Sequence, residues 1–214
     1  VFQGECEIGD DFAGRVVIKV VNDREDNDLA RNEIKTLELL HAQSAPQWKH
    51  LPVLLDHFVT DEGQVGIVLR EFDGYDLEAV LEHRNWSQGI PKKHMVWMLN
   101  RALSVTGYAH LNGIIHGNII PSHWMLRPRD HNVMILDWSY AAIDPSHTDD
   151  GFKAFSESFS PPEVLDKKLP LPSADIYMIG KCMIWAMGGD LETNSMPDDV
   201  EPDLQRFIQS FVLE

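Results

Sequence analysis

The stretch that decides the fold is His116-Gly117-Asn118-Ile119-Ile120-Pro121-Ser122-His123. It follows Tyr108-Ala109-His110 and Gly113-Ile114-Ile115, and it precedes an apolar segment, Val133 to Leu136, that runs into Asp137-Trp138-Ser139. Each of these short patterns carries little information alone. Their order and spacing along one chain are much more specific.

Two further patterns lie on the C-terminal side of this stretch. Ser160-Pro161-Pro162-Glu163-Val164-Leu165 comes first, and Ser173-Ala174-Asp175-Ile176-Tyr177-Met178-Ile179-Gly180 follows it. From Ala174 to Met187 the sequence is apolar nearly all round, which predicts a buried central helix with Ser173 as its N-cap.

On the N-terminal side, Val16-Val17-Ile18-Lys19 is an apolar strand that ends in a lysine. Most such lysines simply end a strand in water. Glu33, however, lies on a predicted helix from Asp28 to Leu40, on the same face as Leu37. Because a lysine that holds phosphate groups needs an acidic partner to fix its position, the two residues are more informative together.

With these patterns in order, nearly the whole chain resembles the protein kinase superfamily. Lys19 resembles the lysine of the third kinase strand, and Glu33 resembles its partner on the C helix. Leu69 resembles the gatekeeper residue, with Arg70-Glu71-Phe72 as the hinge. The resemblance therefore implies a nucleotide site formed by Lys19, Glu33, Leu69, Glu71, Phe72 and Asp137.

The C-terminal patterns match the rest of the kinase signature. His116 to His123 aligns without a gap with the catalytic loop H-R-D-L-x-x-x-N, and Asp137 to Ser139 aligns with D-F-G. Pro161 to Glu163 aligns with A-P-E, and Asp175 with the aspartate that opens the buried F helix. The resemblance implies ATP and magnesium as cofactors, with magnesium held at Asp137.

Three residues depart from the family pattern at positions that carry the chemistry. Asn118 stands where an aspartate accepts or orients the substrate proton, and a carboxamide cannot hold a proton at neutral pH. His123 stands where an asparagine oxygen holds a second magnesium ion, for which imidazole is a poor ligand. Ile120 replaces a lysine that stabilises the charge of the transferring phosphoryl group.

Two more departures concern regulation and backbone freedom. Gly117 replaces an arginine that binds a phosphorylated activation loop in many kinases, so activation by such phosphorylation is not expected. Ser139 replaces the flexible glycine of D-F-G. The His-Gly start also resembles small-molecule kinases of the aminoglycoside phosphotransferase type, but those keep the aspartate that is absent at Asn118.

The resemblance and the order of predicted elements imply an α+β, bilobal protein-kinase-like fold. We expect a small β-rich N lobe with one helix over residues 1–69, a hinge over 70–74 and a larger, mainly α-helical C lobe over 75–214. A last amphipathic helix is predicted from Pro202 to Leu213. By the alignment, we expect the chain to begin just after the glycine-rich loop and to stop before the last helices of the C lobe.

The composition restricts the partners that we expect. The chain has 34 acidic and 18 basic residues and a formal net charge of −16, so its surface repels nucleic acids and anionic membranes. Cys6 and Cys182 lie far apart, and the ten histidines match no metal-binding spacing. We therefore expect no zinc, no haem and no disulfide, and a cytoplasmic location.

Three functions are compatible with the sequence. The leading hypothesis is a pseudokinase, with impaired phosphoryl transfer, that binds nucleotide, a protein partner or other domains of a longer chain. The alternative is an active, atypical ATP-dependent phosphotransferase or nucleotidyl transferase, supported by Lys19, Glu33 and Asp137. A purely structural interaction module is the third hypothesis; it predicts a cleft filled by side chains, whereas an enzyme predicts an open one. Residues 176–196 also resemble bacterial or phage serine/threonine-kinase-like chains.

Overall fold

The protein was analysed as a computed structural model that describes residues 1–8, 12–83, 89–148, 151–166 and 168–213. Its N-terminal part consists mainly of a β-sheet with one long helix, and its C-terminal part consists mainly of helices. The predicted α+β fold class is confirmed. Residues 71–74, between the two parts, form neither helix nor strand.

A four-stranded antiparallel sheet forms the N-terminal part, in the order β1-β2-β4-β3. Its strands are β1 (Phe2–Ile8), β2 (Phe12–Val20), β3 (Leu54–Val59) and β4 (Val65–Arg70). The β-branched run before Lys19 favours the extended chain. Val17 pairs with Leu69, and Lys19 pairs with Ile67. Since side chains alternate along a strand, these four residues share one face of the sheet.

Helix α1 (Asn27–His41) packs on the sheet through its predicted apolar face, where Leu37 and Leu40 are fully buried. Its first residue fixes its position. The Asn27 amide donates a 2.9 Å hydrogen bond to the carbonyl of Gly63, and its oxygen accepts a 2.7 Å hydrogen bond from the backbone N–H of Val65. The start of α1 is therefore tied to the turn before β4.

The C-terminal part is organised around one central helix, α5 (Pro172–Ala186), which is buried almost without interruption as its apolar sequence predicts. Helix α3 (Lys92–Leu111) packs beside α5. The helices of this part are α2 (Leu77–His83), α3 (Lys92–Leu111), α4 (Pro162–Leu165), α5 (Pro172–Ala186) and α6 (Pro202–Gln209).

Two small sheets frame the loops that carry the predicted catalytic residues. Strands β5 (Tyr75–Asp76), β7 (Trp124–Arg127) and β8 (Asn132–Ile135) form one sheet, in the order β5-β7-β8. Strand β6 (Ile114–Ile115) pairs with β9 (Ala142–Ile143) to form the other. Because β6 ends immediately before His116 and β8 ends just before Asp137, the sheets bring both loops to one side of the helical part.

Two local predictions were wrong. Helix α5 begins at Pro172, its N-cap residue is Leu171, and no side chain caps it. Proline suits the first helical position because it lacks the N–H that would be unpaired there, so Ser173 is the second helical residue and lies two positions past the N-cap. Helix α6 ends at Gln209 instead of Leu213, and residues after it form a turn.

Within the described residues, no helix combines the length and the apolar character that crossing a lipid bilayer requires.

Candidate functional site

A cleft of about 520 Å³ lies between the face of the sheet that carries Lys19 and the loops of the helical part. Its walls include seven of the eight residues proposed from the sequence: Lys19, Glu33, Leu69, Glu71, Phe72, His123 and Asp137. The eighth, Asn118, is not among the residues that line this cleft. The cleft is open, which is the outcome expected for an enzyme and not for a purely structural module.

Apolar walls of the cleft come from residues that the sequence interpretation did not single out. Val17 lies on one side, and Met125, Met134 and Leu136 lie on the other. A usable signal was present in the apolar segment Val133 to Leu136, because side chains alternate along a strand and Met134 and Leu136 therefore share one face. Such walls suit the flat, apolar part of a ligand.

The centre of the cleft is an ionic cluster around Lys19. Its ammonium Nζ lies 2.6 Å from Oε2 of Glu33 and 2.9 Å from Oδ1 of Asp137. The Glu33 side chain is only 1% exposed, whereas those of Lys19 and Asp137 are 29% and 24% exposed. Strand β2, helix α1 and the loop after β8 each contribute one charge, so the cluster forms only when all three elements are packed.

The charges of this cluster support one another. Burial lowers the pKa of Lys19, but the carboxylates of Glu33 and Asp137 outweigh burial and raise its pKa above the usual value. Burial likewise raises the pKa of Glu33, and Lys19 opposes that rise. The raised pKa of Lys19 favours its charged ammonium form, whereas the raised pKa of Glu33 favours its neutral carboxyl form. The ionised pair is the state that satisfies the 2.6 Å contact, because a neutral Glu33 would leave a buried ammonium with one carboxylate only.

Asp137 is held in a constrained conformation. Its backbone is left-handed, with φ 61° and ψ 64°, which is uncommon for a residue other than glycine. The Ser139 hydroxyl donates a 2.8 Å hydrogen bond to Oδ1, the oxygen that also accepts from Lys19. Burial raises the pKa of Asp137, but Lys19, His123 and Ser139 outweigh it and hold the pKa below its usual value. Asp137 is therefore an ionised carboxylate whose two oxygens have different partners.

The loop that begins at His116 is anchored by Asp175 on α5. The Asp175 carboxylate accepts hydrogen bonds of 2.8 Å from the backbone N–H groups of His116 and Gly117, and it contacts Nε2 of His110 at 2.8 Å. His116 itself is fully buried, and burial lowers its pKa. Its Nε2 contacts the carbonyl of Leu136 at 2.9 Å. The two loops are thus joined through a neutral imidazole.

Asn118 and Ile120 lie on this anchored loop and are half-buried. The Asn118 carboxamide makes no hydrogen bond within the described part of the chain, while its backbone N–H donates to Nδ1 of His116 at 3.2 Å. A carboxamide offers an oxygen and an N–H₂ group but no proton-accepting charge. The position can orient a hydroxyl group, and it cannot act as a general base.

His123 turns toward Asp137. Its Nδ1 contacts the backbone carbonyl of Asn118 at 2.8 Å, and its Nε2 lies 3.4 Å from Oδ2 of Asp137. The two residues that the sequence interpretation assigned to magnesium are therefore adjacent. The facing atoms are a nitrogen, Nε2 of His123, and an oxygen, Oδ2 of Asp137.

Gly117 has a structural reason to be glycine. Its φ is +74°, and a Cβ added there would lie 3.5 Å from the ring of Phe152. The contact with Phe152 is an ordinary van der Waals distance, so the left-handed backbone is what disfavours an arginine at residue 117.

The structure adds a contact that no sequence pattern indicated. The amide of Asn32, next to Glu33 on α1, donates hydrogen bonds of 2.9 Å to the carbonyl of Ser139 and 2.8 Å to the carbonyl of Ala141. Asn32 falls off the apolar face of α1, where polar residues usually face solvent. It instead fastens the helix to the segment after Asp137.

The proposed hinge is fixed by charges on its flanks. Arg15 lies 2.9 Å from the Glu71 carboxylate, so Glu71 is directed toward β2. The Arg127 guanidinium lies over the Phe72 ring, 4.4 Å from its centre. Leu69, at the gatekeeper position, is 7% exposed.

The order of these elements and the residues they bring together agree with comparison to known families. Residues 5–208 match the protein kinase domain family. The chain belongs to the protein kinase family.

Characterised relatives of this kinase domain are distant. It is 26% identical over 170 residues to serine/threonine-protein kinase F of Synechocystis sp., an overlap covering 75% of the chain and 34% of the relative. It is 28% identical over 152 residues to serine/threonine-protein kinase pkn3 of Myxococcus xanthus, covering 66% and 27%. It is 25% identical over 175 residues to the serine/threonine-protein kinase stk11 homolog of Dictyostelium discoideum, covering 81% and 29%. The kinase domain thus spans about a third or less of these relatives.

A zinc site of the usual kind needs a cluster of histidine, cysteine or acidic side chains. Across the described ranges, no group of three or more histidine, cysteine or acidic residues could hold a metal ion by itself. Any ion in the cleft of this kinase domain would therefore need ligands in addition to Asp137 and His123, such as water or phosphate oxygen.

Proposed function

We propose that this kinase domain is a pseudokinase that binds a purine nucleoside triphosphate in its cleft and transfers phosphate poorly or not at all. One observation carries the proposal. The parts of the cleft suited to holding phosphate are assembled around Lys19, whereas Asn118 and His123 replace the groups that transfer it.

The residues present fit ATP. The apolar walls at Val17 and Leu69 suit a base, and the ammonium of Lys19 suits phosphate oxygens. Asp137 is ionised and suits a divalent ion bound to those phosphates. When bound, ATP with its metal ion supplies the transferable phosphoryl group and neutralises its charge.

Loss of efficient transfer follows from Asn118 and His123. Without a proton acceptor at residue 118, the substrate hydroxyl has to lose its proton to water, and a missing general base typically lowers a rate by about 10²–10⁴. Imidazole at residue 123 weakens the hold on magnesium. With transfer impaired, the nucleotide serves to fix the relative positions of β2, α1 and the Asp137 loop. That suits a regulatory module that acts on a protein partner or on other domains of a longer chain.

Calorimetric titration of ATP tests the proposal, with and without magnesium, on the wild type and on Lys19→Met. We expect measurable binding to the wild type and at least about a tenfold loss in Lys19→Met, since a charged hydrogen bond contributes about 1.5–3 kcal/mol. Lys92→Met is the matched control. Lys92 is 31% exposed and pairs with Asp199 at 3.3 Å, and neither residue lines the cleft.

The outcomes separate the three hypotheses. Absence of ATP binding under every condition would overturn the proposal and leave a purely structural module. If the protein binds ATP and also transfers phosphate at a rate of about 1–100 s⁻¹, as kinases typically do, it is the active, atypical phosphotransferase instead. The assembled cluster of Lys19, Glu33 and Asp137 is the observation that keeps this second candidate in view.

A further inference from the structure

We infer that His123 and Asp137 form a mixed nitrogen–oxygen site that selects Mn²⁺ over Mg²⁺. The metal-facing atoms are Nε2 of His123 and Oδ2 of Asp137. Phosphate oxygens and water complete the coordination, so the phosphate part of the site rests on the proposed nucleotide function. Binding of the ion to the two side chains does not.

The distance between the two atoms fits a shared metal ion. Nε2 and Oδ2 are 3.4 Å apart, which is longer than the about 2.7–3.2 Å of an N–H···O hydrogen bond. With metal–ligand distances of about 2.1 Å, two ligands on one ion are about 3.0–3.4 Å apart for angles between about 90° and 109°. The separation of the two atoms therefore suits two ligands of one ion.

The ring of His123 is oriented as metal-binding histidines are. Nδ1 lies 2.8 Å from the backbone carbonyl of Asn118. A carbonyl oxygen only accepts, so Nδ1 carries a proton and donates it, which leaves Nε2 as the ring nitrogen that can bind a metal ion. A backbone carbonyl on the far nitrogen is a usual outer partner of metal-binding histidine.

Asp137 offers the matching oxygen. Oδ1 already accepts from Lys19 at 2.9 Å and from Ser139 at 2.8 Å. Oδ2, the other oxygen, faces His123. The Ser139 hydroxyl, absent from a D-F-G glycine, thus helps to direct Oδ2 toward the ion.

The ligand set favours Mn²⁺ over Mg²⁺. Mg²⁺ takes oxygen ligands in a strict octahedron, so the nitrogen of His123 is unfavourable for it. Zn²⁺ and Cu²⁺ sites use three or more protein ligands as a rule, and within the described residues no third histidine, cysteine or carboxylate joins this pair. Mn²⁺ accepts carboxylate, phosphate and water, and it binds imidazole more readily than Mg²⁺ does.

Electron paramagnetic resonance of Mn²⁺ tests the site directly, without reference to activity. Electron spin-echo measurements on the protein with Mn²⁺ alone, and with Mn²⁺ and ATP, report whether a ¹⁴N nucleus is bound to the ion. We expect a nitrogen coupling in the wild type that disappears in His123→Asn. His147→Asn is the matched control, because His147 also lies beside an aspartate, with Nδ1 2.8 Å from Asp144, but is exposed and outside the cleft.

Metal competition gives a second readout. The ratio of Mn²⁺ to Mg²⁺ affinity should fall by about tenfold or more in His123→Asn, since loss of a ligand's outer partner alone costs about 10–100-fold. The ratio should be unchanged in His147→Asn.

Three results would overturn the inference: no Mn²⁺ bound, Mn²⁺ bound without a nitrogen coupling, or a coupling that persists in His123→Asn. ATP binding in the presence of a chelator reports separately on the nucleotide function. It can therefore succeed while the metal inference fails, or fail while Mn²⁺ still binds His123.

Discussion

Lys19 and Asp137 are 118 positions apart in the chain, yet Nζ of Lys19 donates a 2.9 Å hydrogen bond to Oδ1 of Asp137. The contact joins the N-terminal sheet to the loop that follows β8. Because the same ammonium also binds the buried carboxylate of Glu33, one side chain holds three elements together.

Replacing Lys19 should lower stability as well as nucleotide affinity. Lys19→Met leaves Glu33, 1% exposed, without its cation, and one of its oxygens is already without a hydrogen-bond partner. We expect the free energy of unfolding to fall by about 3 kcal/mol, the low end for a broken buried pair because Lys19 is partly exposed. Urea denaturation measures the loss.

The double variant Lys19→Met, Glu33→Met is the control for that reading. It replaces both charges with apolar groups, so it should recover most of the lost stability. Lys92→Met, which breaks an exposed pair, should change the free energy of unfolding by about 1 kcal/mol or less. A double variant no more stable than the single one would show that the loss comes from something other than the stranded charge.

Removing the Asn32 amide should loosen the segment after Asp137. Asn32→Ala deletes the hydrogen bonds to the carbonyls of Ser139 and Ala141, at about 0.5–1.5 kcal/mol each. We expect the free energy of unfolding to fall by about 1–3 kcal/mol and backbone amides of residues 138–143 to exchange faster with deuterium. Asn112→Ala is the control, since its amide also donates to a backbone carbonyl, at 2.8 Å, but at the exposed end of α3. If the amides of residues 138–143 exchanged equally fast in Asn32→Ala and Asn112→Ala, Asn32 would not hold this segment.

Acidification should destabilise the protein through a histidine outside the cleft. His50 is 2% exposed, its Nδ1 lies 2.8 Å from the Val133 carbonyl, and burial lowers its pKa. Below the unfolded-chain value of about 6.5, the unfolded state takes up a proton that the folded state resists. The stability that His50 contributes is therefore complete above about pH 6.5 and is lost as the pH falls toward its lower folded pKa.

His50→Gln isolates this effect. Glutamine can still donate to the carbonyl but does not titrate, so the wild type should lose up to about 1.4 kcal/mol per pH unit more than the variant. Urea denaturation between about pH 5.5 and about pH 7 measures the difference. His116, whose pKa burial also lowers, acts in the same direction in both proteins and cancels. A difference that does not vary with pH would contradict the prediction.

Restoring the family residues should restore transfer only in combination. Asn118→Asp alone supplies a proton acceptor. It leaves the imidazole of His123 in place and no cation at residue 120. We expect the triple variant Asn118→Asp, Ile120→Lys, His123→Asn to release γ-phosphate from ATP with Mg²⁺ about 100-fold faster or more than the wild type, within the range of general-base effects. Adding Asp137→Ala should abolish the gain. A triple variant that binds ATP but remains as slow as the wild type would place the block elsewhere.

The sequence predicted the fold and the residue types of the site because both depend on local patterns. Apolar periodicity located α1, a nearly continuous apolar sequence located α5, and the ordered motifs located Lys19, Glu33 and Asp137 before any contact was known. It placed the cap of α5 wrongly because Ser173 and Pro172 both suit a helix start, and proline took the first position.

Tertiary structure alone decided what each side chain of the site does. Serine at residue 139 could be interpreted only as a lost glycine, yet its hydroxyl binds Asp137, and Asn32 looked like an exposed helix residue, yet it holds the following segment. The orientation of the His123 ring also depends on tertiary contacts. Its Nδ1 contacts the carbonyl of Asn118, and its Nε2 then faces Asp137. A sequence determines which donors, acceptors and charges are present. Their pairing depends on distances of about 3 Å between residues remote in the chain, and only the packed structure sets those distances.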